Sequence, residues 1–384
     1  MNILALNAGS STIKASLFQM EHAGTNGDLP RGLVWESESG IEEESLDLLL
    51  SPLWNSPNAI LEGPHSVHAV AHRVVNGGAK LLDSVSITDD VIAQIQAETE
   101  HAPTHNQFAL ELIDESRTLF GESVPQIAVF DTAFHRTMPP AAYTFAGPYE
   151  WLSQGIRKFG FHGINHQYVS QRAKRLLTQS AGNLRVVSCH LGNGSSLAAV
   201  HNGKSVDTTM GFTPLDGVPM ATRSGAIDPG ILIHLLRHGG HTVDSLEALL
   251  YHSSGLAGLS GTNGDMREVL KYADAKSERA RLALAVFLLH VRQAIASMAA
   301  SMGGIEALVF TGGIGENSAR IREEICDGLT FLRVNVDSAR NNAVGANDVE
   351  ISAQRSAVNV LVVHAEENWM LAQEAVRVIS IVVK

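Results

Sequence analysis

A short sequence occurs twice in this chain, half a chain length apart. Leu6-Asn7-Ala8-Gly9-Ser10-Ser11 and Leu191-Gly192-Asn193-Gly194-Ser195-Ser196 share four of six residues at an offset of 185 in a chain of 384 residues. Each copy lies between two apolar runs, and each of these runs is typical of a buried strand. The repeat therefore predicts a duplicated domain with one anion-binding turn per copy, because glycine permits a tight bend and consecutive N–H groups can face an anion.

Strand-like and helical patterns alternate along the chain, which predicts an α/β fold with parallel or mixed sheets. The predicted strands are Ile3–Leu6, Ala69–Val75, Ile127–Phe130, Val186–Cys189, Ala307–Phe310 and Val358–Val363. The predicted helices are Asp90–Thr99, His166–Thr178, Ser277–Met302 and Glu366–Ile379.

Composition excludes several classes of protein. The formal charge of −12 argues against a general nucleic-acid binder, and two cysteines exclude a disulfide-dense scaffold or a four-cysteine zinc site. The most apolar stretch, residues 282–302, is interrupted by His290, Arg292 and Gln293, which favours a core or subunit-interface helix over a membrane span. We expect a cytoplasmic protein that binds neither nucleic acid nor membrane.

Polar residues follow several predicted strands. Asn7, Asp131, His190, Thr311 and Glu366 each stand at or just after the end of an apolar run. Ligands of open α/β sheets bind beyond the carboxyl ends of the strands, so we expect these side chains to line one long cleft.

Cationic residues accompany these strand ends. Lys14 follows the first glycine turn at a distance that could return its ammonium group to a bound phosphate. Arg73 emerges from a predicted strand, where either a bound carboxylate or a structural acid would suit its guanidinium group.

Common signatures of other enzyme classes are incomplete or missing. Ala198 stands where a Walker A loop needs its first glycine, and Ser318 breaks a GxGxxG match after Thr311. The spacing of His162 and His166 would allow zinc, but there is no HExxH motif and no GxSxG elbow.

Nine motifs in order resemble the acetate kinase family, which belongs to the superfamily of acetate and sugar kinases, heat-shock proteins and actin. The resemblance runs from Asn2 to the C-terminal helix. The motifs are LNAGSSTIK (6–14), HRVVNGG (72–78), FDTAFH (130–135), FGFHGINH (159–166), CHLGNGSS (189–196), MGFTPLDG (210–217), TRSGAIDPG (222–230), FTGGIGENS (310–318) and AEE (365–367).

This resemblance implies two duplicated ribonuclease-H-like domains with a nucleotide cleft between them. One domain would comprise residues 1–131 plus 367–384, and the other residues 132–366. It further implies a homodimer and a Mg²⁺-dependent reaction, with Mn²⁺ as a possible substitute, in which ATP and acetate reversibly give acetyl phosphate and ADP.

The resemblance also assigns roles to individual residues. Asp131, His162 and Arg223 match the catalytic positions, and Asn7 and Glu366 match the magnesium positions. The substrate contacts would be Arg73, Val75, Phe161, Pro214 and Thr104. The ATP contacts would be Ser10, Thr12, Lys14, His190, Leu191, Gly192, Asn193, Gly194, Asp265, Met266, Arg267, Gly313, Ile314, Gly315, Glu316 and Asn317.

Four positions depart from the family pattern, and one of them, Thr12, replaces a serine but keeps the hydroxyl group. Thr104 replaces a leucine of the pocket for the acetate methyl group, Ala226 replaces an aspartate, and Asn76 replaces a histidine. The smaller, more polar Thr104 could admit propionate or a hydroxylated acid, since one methylene changes binding by only ~1–3 kcal/mol.

Three alternatives to an acetate kinase remain at this point. They are a propionate kinase, a slow ATPase module like actin or the heat-shock chaperones, and a sugar kinase. Arg73, His162 and Arg223 together suit an anionic acceptor, which disfavours the ATPase module. A sugar kinase needs a carboxylate base, for which Asp131 alone is available.

Overall fold

A computed structural model describes residues 1–9, 12–20, 32–40, 45–99, 103–177 and 183–382, and for residues 103–105 and 382 it describes the backbone alone. The strands are β1 Asn2–Ala8, β2 Thr12–Gln19, β3 Leu33–Gly40, β4 Ala69–Val74, β5 Val85–Ser86, β6 Gln126–Phe130, β7 Arg185–Leu191, β8 Ser195–His201, β9 Lys204–Thr208, β10 Ala307–Thr311, β11 Val349–Glu350 and β12 Asn359–Val362. The helices are α1 Leu46–Leu50, α2 Pro52–Asn55, α3 Asp89–Ala97, α4 Pro103–Phe120, α5 Pro140–Tyr143, α6 Gly163–Leu176, α7 Pro229–His238, α8 Val243–His252, α9 Gly255–Ser260, α10 Met266–Asp274, α11 Glu278–Met302, α12 Gly312–Asn317, α13 Ala319–Asp327, α14 Ser338–Asn342 and α15 Glu367–Val382.

The first sheet has six strands in the order β3-β2-β1-β4-β6-β5. Strands β3, β2 and β1 form an antiparallel meander, β1, β4 and β6 are parallel, and the short β5 is antiparallel to β6. All five residues of β6 are buried, which is typical of a central parallel strand covered on both faces.

The second sheet repeats this arrangement. Its order, read from the meander outward, is β9-β8-β7-β10-β12-β11. Strands β9, β8 and β7 are antiparallel, β7, β10 and β12 are parallel, and the short β11 is antiparallel to β12. Two α/β sheets with one topology confirm the predicted fold class, and the two copies of the repeated sequence lie at equivalent hairpins, β1–β2 and β7–β8.

The chain divides into two compact units. The first comprises residues 1–136, 161–168 and 366–384, and the second comprises residues 137–160 and 169–365. Residues 132–136, residue 366 and the segment 161–168 belong to the first unit, although we predicted them in the second. A local reason is that the N–H of Gly163 donates to the carbonyl of Asp131, 3.0 Å away, which ties this segment to the end of β6.

Helix α11 is the central helix of the second unit. It is the one described helix that is long and apolar enough to cross a membrane, with a mean hydropathy of 1.7. Nine of its residues are buried, and Phe287, Val291 and Ile295 belong to the same core cluster as Val187 and Phe310. Core packing accounts for the apolar residues on its buried face, while Leu282 and Leu289 are 56% and 50% exposed.

An arginine in the middle of α11 has a structural role. Arg292 donates a hydrogen bond to the main-chain carbonyl of Glu324 in the last turn of α13. A cation at the C-terminal end of a helix satisfies an orphan carbonyl and opposes the negative end of the helix dipole.

Candidate active site

An ion pair between two predicted site residues lies at the carboxyl ends of β4 and β6. The Arg73 guanidinium donates from Nε and Nη2 to the Asp131 carboxylate, with Nη2 2.7 Å from Oδ2. The side chains are 12% and 1% exposed. The structure therefore brings Arg73 and Asp131 together and gives Arg73 an acid of its own chain as its partner.

Burial and charge act in opposite directions on this pair. Burial raises the pKa of the Asp131 carboxyl above its usual value, and the contacts with Arg73 and with the backbone N–H of His162 oppose the rise. Burial also acts to lower the pKa of Arg73, but the carboxylates of Asp131 and Glu367 outweigh it and the Arg73 pKa is raised. Arg73 is therefore a fixed cation at physiological pH.

The pair extends to β1 and to the start of α15. Arg73 Nη1 donates to Asn7 Oδ1 at 3.0 Å, and Asn7 Nδ2 donates to Glu367 Oε2 at 3.1 Å and to Asn368 Oδ1 at 3.0 Å. Glu367 Oε2 is also 4.0 Å from Arg73 Nη1. We predicted Asn7 and Glu366 as magnesium ligands, and the structure places Glu367, the second acid of the same AEE motif, in contact with Asn7.

His162 donates its backbone N–H to the Asp131 carboxylate and has a constrained backbone. Its φ of +54° is in the left-handed region, which non-glycine residues seldom occupy. A Cβ on the next residue, Gly163, would lie 2.0 Å from the Asp131 carbonyl oxygen, so only glycine allows this approach. The close packing holds His162 beside the carboxylate, and strained residues of this kind cluster at functional sites.

The first glycine turn connects β1 and β2. Gly9 donates its N–H to the Thr12 carbonyl at 2.8 Å, and Lys14 is the cross-strand partner of Asn7, so both project from one face. Lys14 Nζ forms an exposed ion pair with Glu36 Oε1 at 3.1 Å. Ser10 lies outside the described residues.

Two apolar residues that we predicted as substrate contacts are buried, and they lie close in sequence to Arg73 and His162. Val75 is 6% exposed and Phe161 is 1% exposed. The Phe161 carbonyl contacts the buried His135 ring, with 3.1 Å between O and Nε2. For Thr104 the structure describes only its place in α4.

The second glycine turn, after β7, and a third glycine-rich turn, after β10, meet in the second unit. His190 pairs with Thr311 across β7 and β10, so both strands end at one edge of the sheet. A Cβ on Gly312, whose φ is +78°, would lie 2.9 Å from the Leu191 carbonyl oxygen. The turn that comprises Gly192, Asn193 and Gly194 therefore lies against the third glycine turn, which forms the short helix α12 and contains Gly313, Ile314, Gly315, Glu316 and Asn317.

The Glu316 carboxylate accepts hydrogen bonds from two main-chain N–H groups. Its Oε1 accepts the N–H of Gly312 at 2.7 Å and the N–H of Ala365 at 3.0 Å. This carboxylate oxygen therefore joins the ends of β10 and β12.

Arg322 supports the same turn from below. It is 1% exposed, and it donates from Nη1 to the carbonyls of Gly315 and Glu316 and from Nε and Nη2 to Asn341. Burial lowers the pKa of Arg322 to about 10, so it still carries its charge at neutral pH.

The segment Asp265–Arg267 begins α10 near these turns. Asp265 caps the helix by accepting the N–H of Arg267 at 2.8 Å, and it also accepts from the Arg267 side chain at 2.5 Å. Hydrogen bonding to Arg267 lowers the pKa of Asp265. Arg267 is 91% exposed, and the next residue after the cap, Met266, is buried.

Arg223 lies on a segment that contacts both the second glycine turn and the residues just before α10. Ala221 donates its N–H to the Asn193 carbonyl at 3.1 Å, and a Cβ on Gly264 would lie 2.3 Å from the Ala221 carbonyl oxygen. Arg223 Nη1 donates to the carbonyl of the buried Pro214 at 3.3 Å. The predicted nucleotide loops of the second unit and Arg223 therefore form one cluster.

Several residues of these two clusters were not predicted from the sequence. Glu367 and His135 lie inside motifs that we quoted, where the second acid and the final histidine were the available signals. Asn368 and Arg322 lie outside those motifs, as does Tyr251, whose ring centroid is 5.9 Å from Arg223 Cζ, and no spacing in the sequence indicated them.

Comparisons with known proteins cover nearly the whole chain. The profile of the Acetokinase family matches residues 33–373. The acetate kinase of Gloeobacter violaceus is 44% identical over 97% of this chain and 98% of its own length. The crystal structure of Porphyromonas gingivalis acetate kinase has a TM-score of 0.87 at 34% identity, over 98% of this chain and 99% of that one. A propionate kinase from Francisella tularensis has a TM-score of 0.84 at 37% identity, over 97% of this chain and 98% of that one.

Proposed function

Since this chain belongs to the Acetokinase family, as its motifs predicted, we propose that it transfers the γ-phosphoryl group of ATP reversibly to acetate, which gives acetyl phosphate and ADP. The observation that carries the proposal is the buried Arg73–Asp131 pair at the ends of β4 and β6. Its geometry provides an oriented guanidinium group where a small carboxylate would bind.

The acceptor chemistry needs little from the protein beyond alignment. A carboxylate is already a nucleophile, so its oxygen attacks the γ-phosphorus while the bond to the β-phosphate oxygen breaks, and no proton is removed. Catalysis then consists of positioning and charge stabilisation.

Arg73 is the proposed holder of the acetate carboxylate. Its Nη1 and Nη2 each carry two N–H groups, and each donates one to Asn7 or Asp131. The other N–H of each nitrogen can bind the substrate while Asp131 fixes the plane of the guanidinium group. Asp131 thus acts on a cationic partner, one of two roles that its position allows, the other being to orient water bound to Mg²⁺.

Val75 and Phe161 are the proposed contacts of the acetate methyl group in the first unit, because both are apolar, buried and adjacent to Arg73 or His162 in sequence. The corresponding contacts of Thr104 and Pro214 stay predictions.

His162 and Arg223 are the proposed stabilisers of the transferring group. Negative charge on its equatorial oxygens strengthens contacts with cationic donors in the transition state. Removing Arg223 should lower turnover by roughly 10³–10⁵, by analogy with arginine fingers. Arg223→Lys should restore little, because an ammonium group lacks the planar fork of a guanidinium group.

The glycine turns of the second unit are the proposed ATP contacts, together with Lys14, Ser10 and Thr12 of the first hairpin. Their tight backbone approach leaves main-chain N–H groups available to phosphate oxygens. The exposed Arg267 at the start of α10 provides a further cation.

Magnesium is part of the proposal, and the residues present fit it. The described part of the chain holds no cluster of three or more His, Cys, Asp or Glu side chains suited to a metal. Mg²⁺ does not need one, since one or two carboxylates and the substrate phosphates commonly complete its shell with water. Asn7 with Glu366 or Glu367 would hold it, and when bound it neutralises charge on the phosphates.

The assay for the proposed reaction is acyl hydroxamate formation from MgATP, hydroxylamine and carboxylates of one to four carbons. Product with acetate is expected, and no product with any acid would refute the proposal. Asp131→Ala should lose most turnover, and near-normal turnover would exclude its catalytic assignment.

Propionate is the second candidate acceptor, which Thr104 and the similarity to a propionate kinase favour. In the same assay, the ratio of acetate to propionate turnover separates the two functions. Thr104→Leu should shift this ratio toward acetate, because a larger apolar side chain fills the space next to the methyl group.

A homodimer is the proposed assembly, in the cytoplasm where ATP is available. Helix α7 has no buried residue in the single chain, and its Ile231, Ile233 and Leu236 are 47%, 51% and 42% exposed. Exposed apolar patches of this kind mark interfaces. Ile233→Glu should shift the mass measured by light scattering from dimer to monomer, whereas Ile60→Glu, at an exposed site of the first unit, should not.

A further inference from the structure

The segment that carries Arg223 is bound along its main chain to the C-terminal end of α8. The Thr222 hydroxyl donates to the Tyr251 carbonyl at 2.8 Å, and the Ser224 N–H donates to the Leu250 carbonyl at 3.1 Å. These two bonds flank Arg223 on either side and fix where its Cα lies.

The ring of Tyr251 faces the Arg223 guanidinium group. Arg223 Cζ lies 5.9 Å from the centroid of the Tyr251 ring, within the range of a cation–π contact. The guanidinium group also donates to the Pro214 carbonyl. An arginine side chain has many accessible rotamers, so each such contact reduces the number of conformations that it adopts before substrate binds.

The hydroxyl of Tyr251 reaches a second part of the cluster. It interacts with the side chain of Thr213, whose Oγ1 accepts the N–H of Leu215 at 3.3 Å. Burial raises the pKa of Tyr251, and the contacts with Thr213 and Arg223 oppose the rise. The phenol is therefore neutral at physiological pH and keeps its proton for hydrogen bonding.

We propose that Tyr251 is a positioning residue that orients Arg223 through its ring and the Thr213–Pro214 main chain through its hydroxyl. One side chain thereby links the guanidinium group assigned to the transition state with a residue assigned to the substrate pocket. The inference rests on the proposed function, in which Arg223 and Pro214 have these roles.

Two substitutions separate the two contacts. Tyr251→Leu removes both, and turnover with acetate should fall by about 5- to 30-fold, as expected for a desolvated cation–π contact together with a hydrogen bond. Tyr251→Phe keeps the ring and should retain turnover within about threefold. The lost bond to Thr213 should loosen the Pro214 main chain and raise the propionate-to-acetate ratio by about threefold.

The coupling to Arg223 is the readout that a merely structural residue would not affect. Tyr251→Leu should reduce turnover by less than twofold when Arg223 is already lysine, because the group that the ring orients is gone. An equal reduction in both backgrounds would overturn the proposal. The control is Tyr272→Leu, at an exposed tyrosine of α10, which should leave turnover and selectivity unchanged.

The outcomes distinguish this inference from the proposed function. Wild-type protein that forms no hydroxamate contradicts the proposed function itself. Active wild type with a Tyr251→Phe variant of unchanged acid selectivity, and a Tyr251→Leu variant of unchanged turnover, contradicts only the role of Tyr251. If Tyr251→Leu does not fold, as judged by circular dichroism, the selectivity of Tyr251→Phe decides alone.

Discussion

A histidine buried in the first sheet should make this protein sensitive to acid. His72 on β4 is 1% exposed, and its Nε2 lies 2.6 Å from Gln126 Oε1, which also accepts the hydroxyl of Ser116 at 2.9 Å. Because that oxygen can only accept, Nε2 carries the proton of a neutral ring. Within the described residues, His72 Nδ1 has no hydrogen-bond partner that would stabilise a second proton.

The size of the effect follows from the pKa. Burial lowers the pKa of His72 from 6.5 to about 4, and the bond to Gln126 opposes this. The unfolded chain therefore binds a proton that the folded chain rejects, and stability falls as pH decreases from about 6.5 to about 4. The expected loss from His72 alone is about 2 kcal/mol between pH 7 and pH 5, and it approaches roughly 3 kcal/mol below pH 4.

Urea unfolding at pH 7 and pH 5 measures this loss. Three of the four tryptophans lie in the first unit, so a Trp151→Phe background confines the fluorescence signal to the unit that contains His72. His72→Gln should remove about 2 kcal/mol of the pH-dependent loss, whereas His68→Gln, at an exposed histidine of the same unit, should not. An equal pH-dependent loss in wild type and His72→Gln would refute the reasoning.

Two further predictions concern the clusters themselves. Glu367→Gln should raise the Mg²⁺ concentration for half-maximal activity at least tenfold, because Glu367 contacts Asn7, and it should leave the KM for acetate within threefold. A larger effect of Glu366→Gln would assign the metal to Glu366 instead. Arg322→Met should raise the KM for ATP severalfold without changing the KM for acetate, because the carbonyls of Gly315 and Glu316 lose their hydrogen-bond donor. The control Arg292→Met should lower only the melting temperature. Identical kinetics in the two variants would exclude a role for Arg322 in ATP binding.

The architecture was predictable because it depends on patterns that repeat. The offset of 185 between the two glycine turns corresponds to two sheets of one topology. Once β1, β4 and β6 are parallel, their carboxyl ends meet at one edge, so Asn7, Arg73 and Asp131 must lie close together.

Partner choice within the clusters was not predictable in the same way. The sequence allowed either a ligand or a structural acid beside Arg73, and only the register of β4 and β6 places Asp131 within 2.7 Å of it. The choice between Glu366 and Glu367 depends on where α15 begins, because a shift of one residue rotates a helical side chain by about 100°. Tyr251 has no signal at all, since it meets Arg223 only through the packing of α8.

Net charge and local pairing together predict how salt affects each substrate. ATP and acetate are anions and the chain has a formal charge of −12, so binding must rely on local cations. Arg73 is 12% exposed and held by Asp131, so its contact with acetate should be screened little by ions. Arg267 is 91% exposed, so its attraction for ATP should weaken as the Debye length falls from about 10 Å at 0.1 M salt to about 3 Å at 1 M. The KM for ATP should therefore rise severalfold over this range while the KM for acetate changes less than twofold, and Arg267→Ala should flatten the ATP dependence. Equal salt dependence of both constants would show that acetate, too, is bound through an exposed charge.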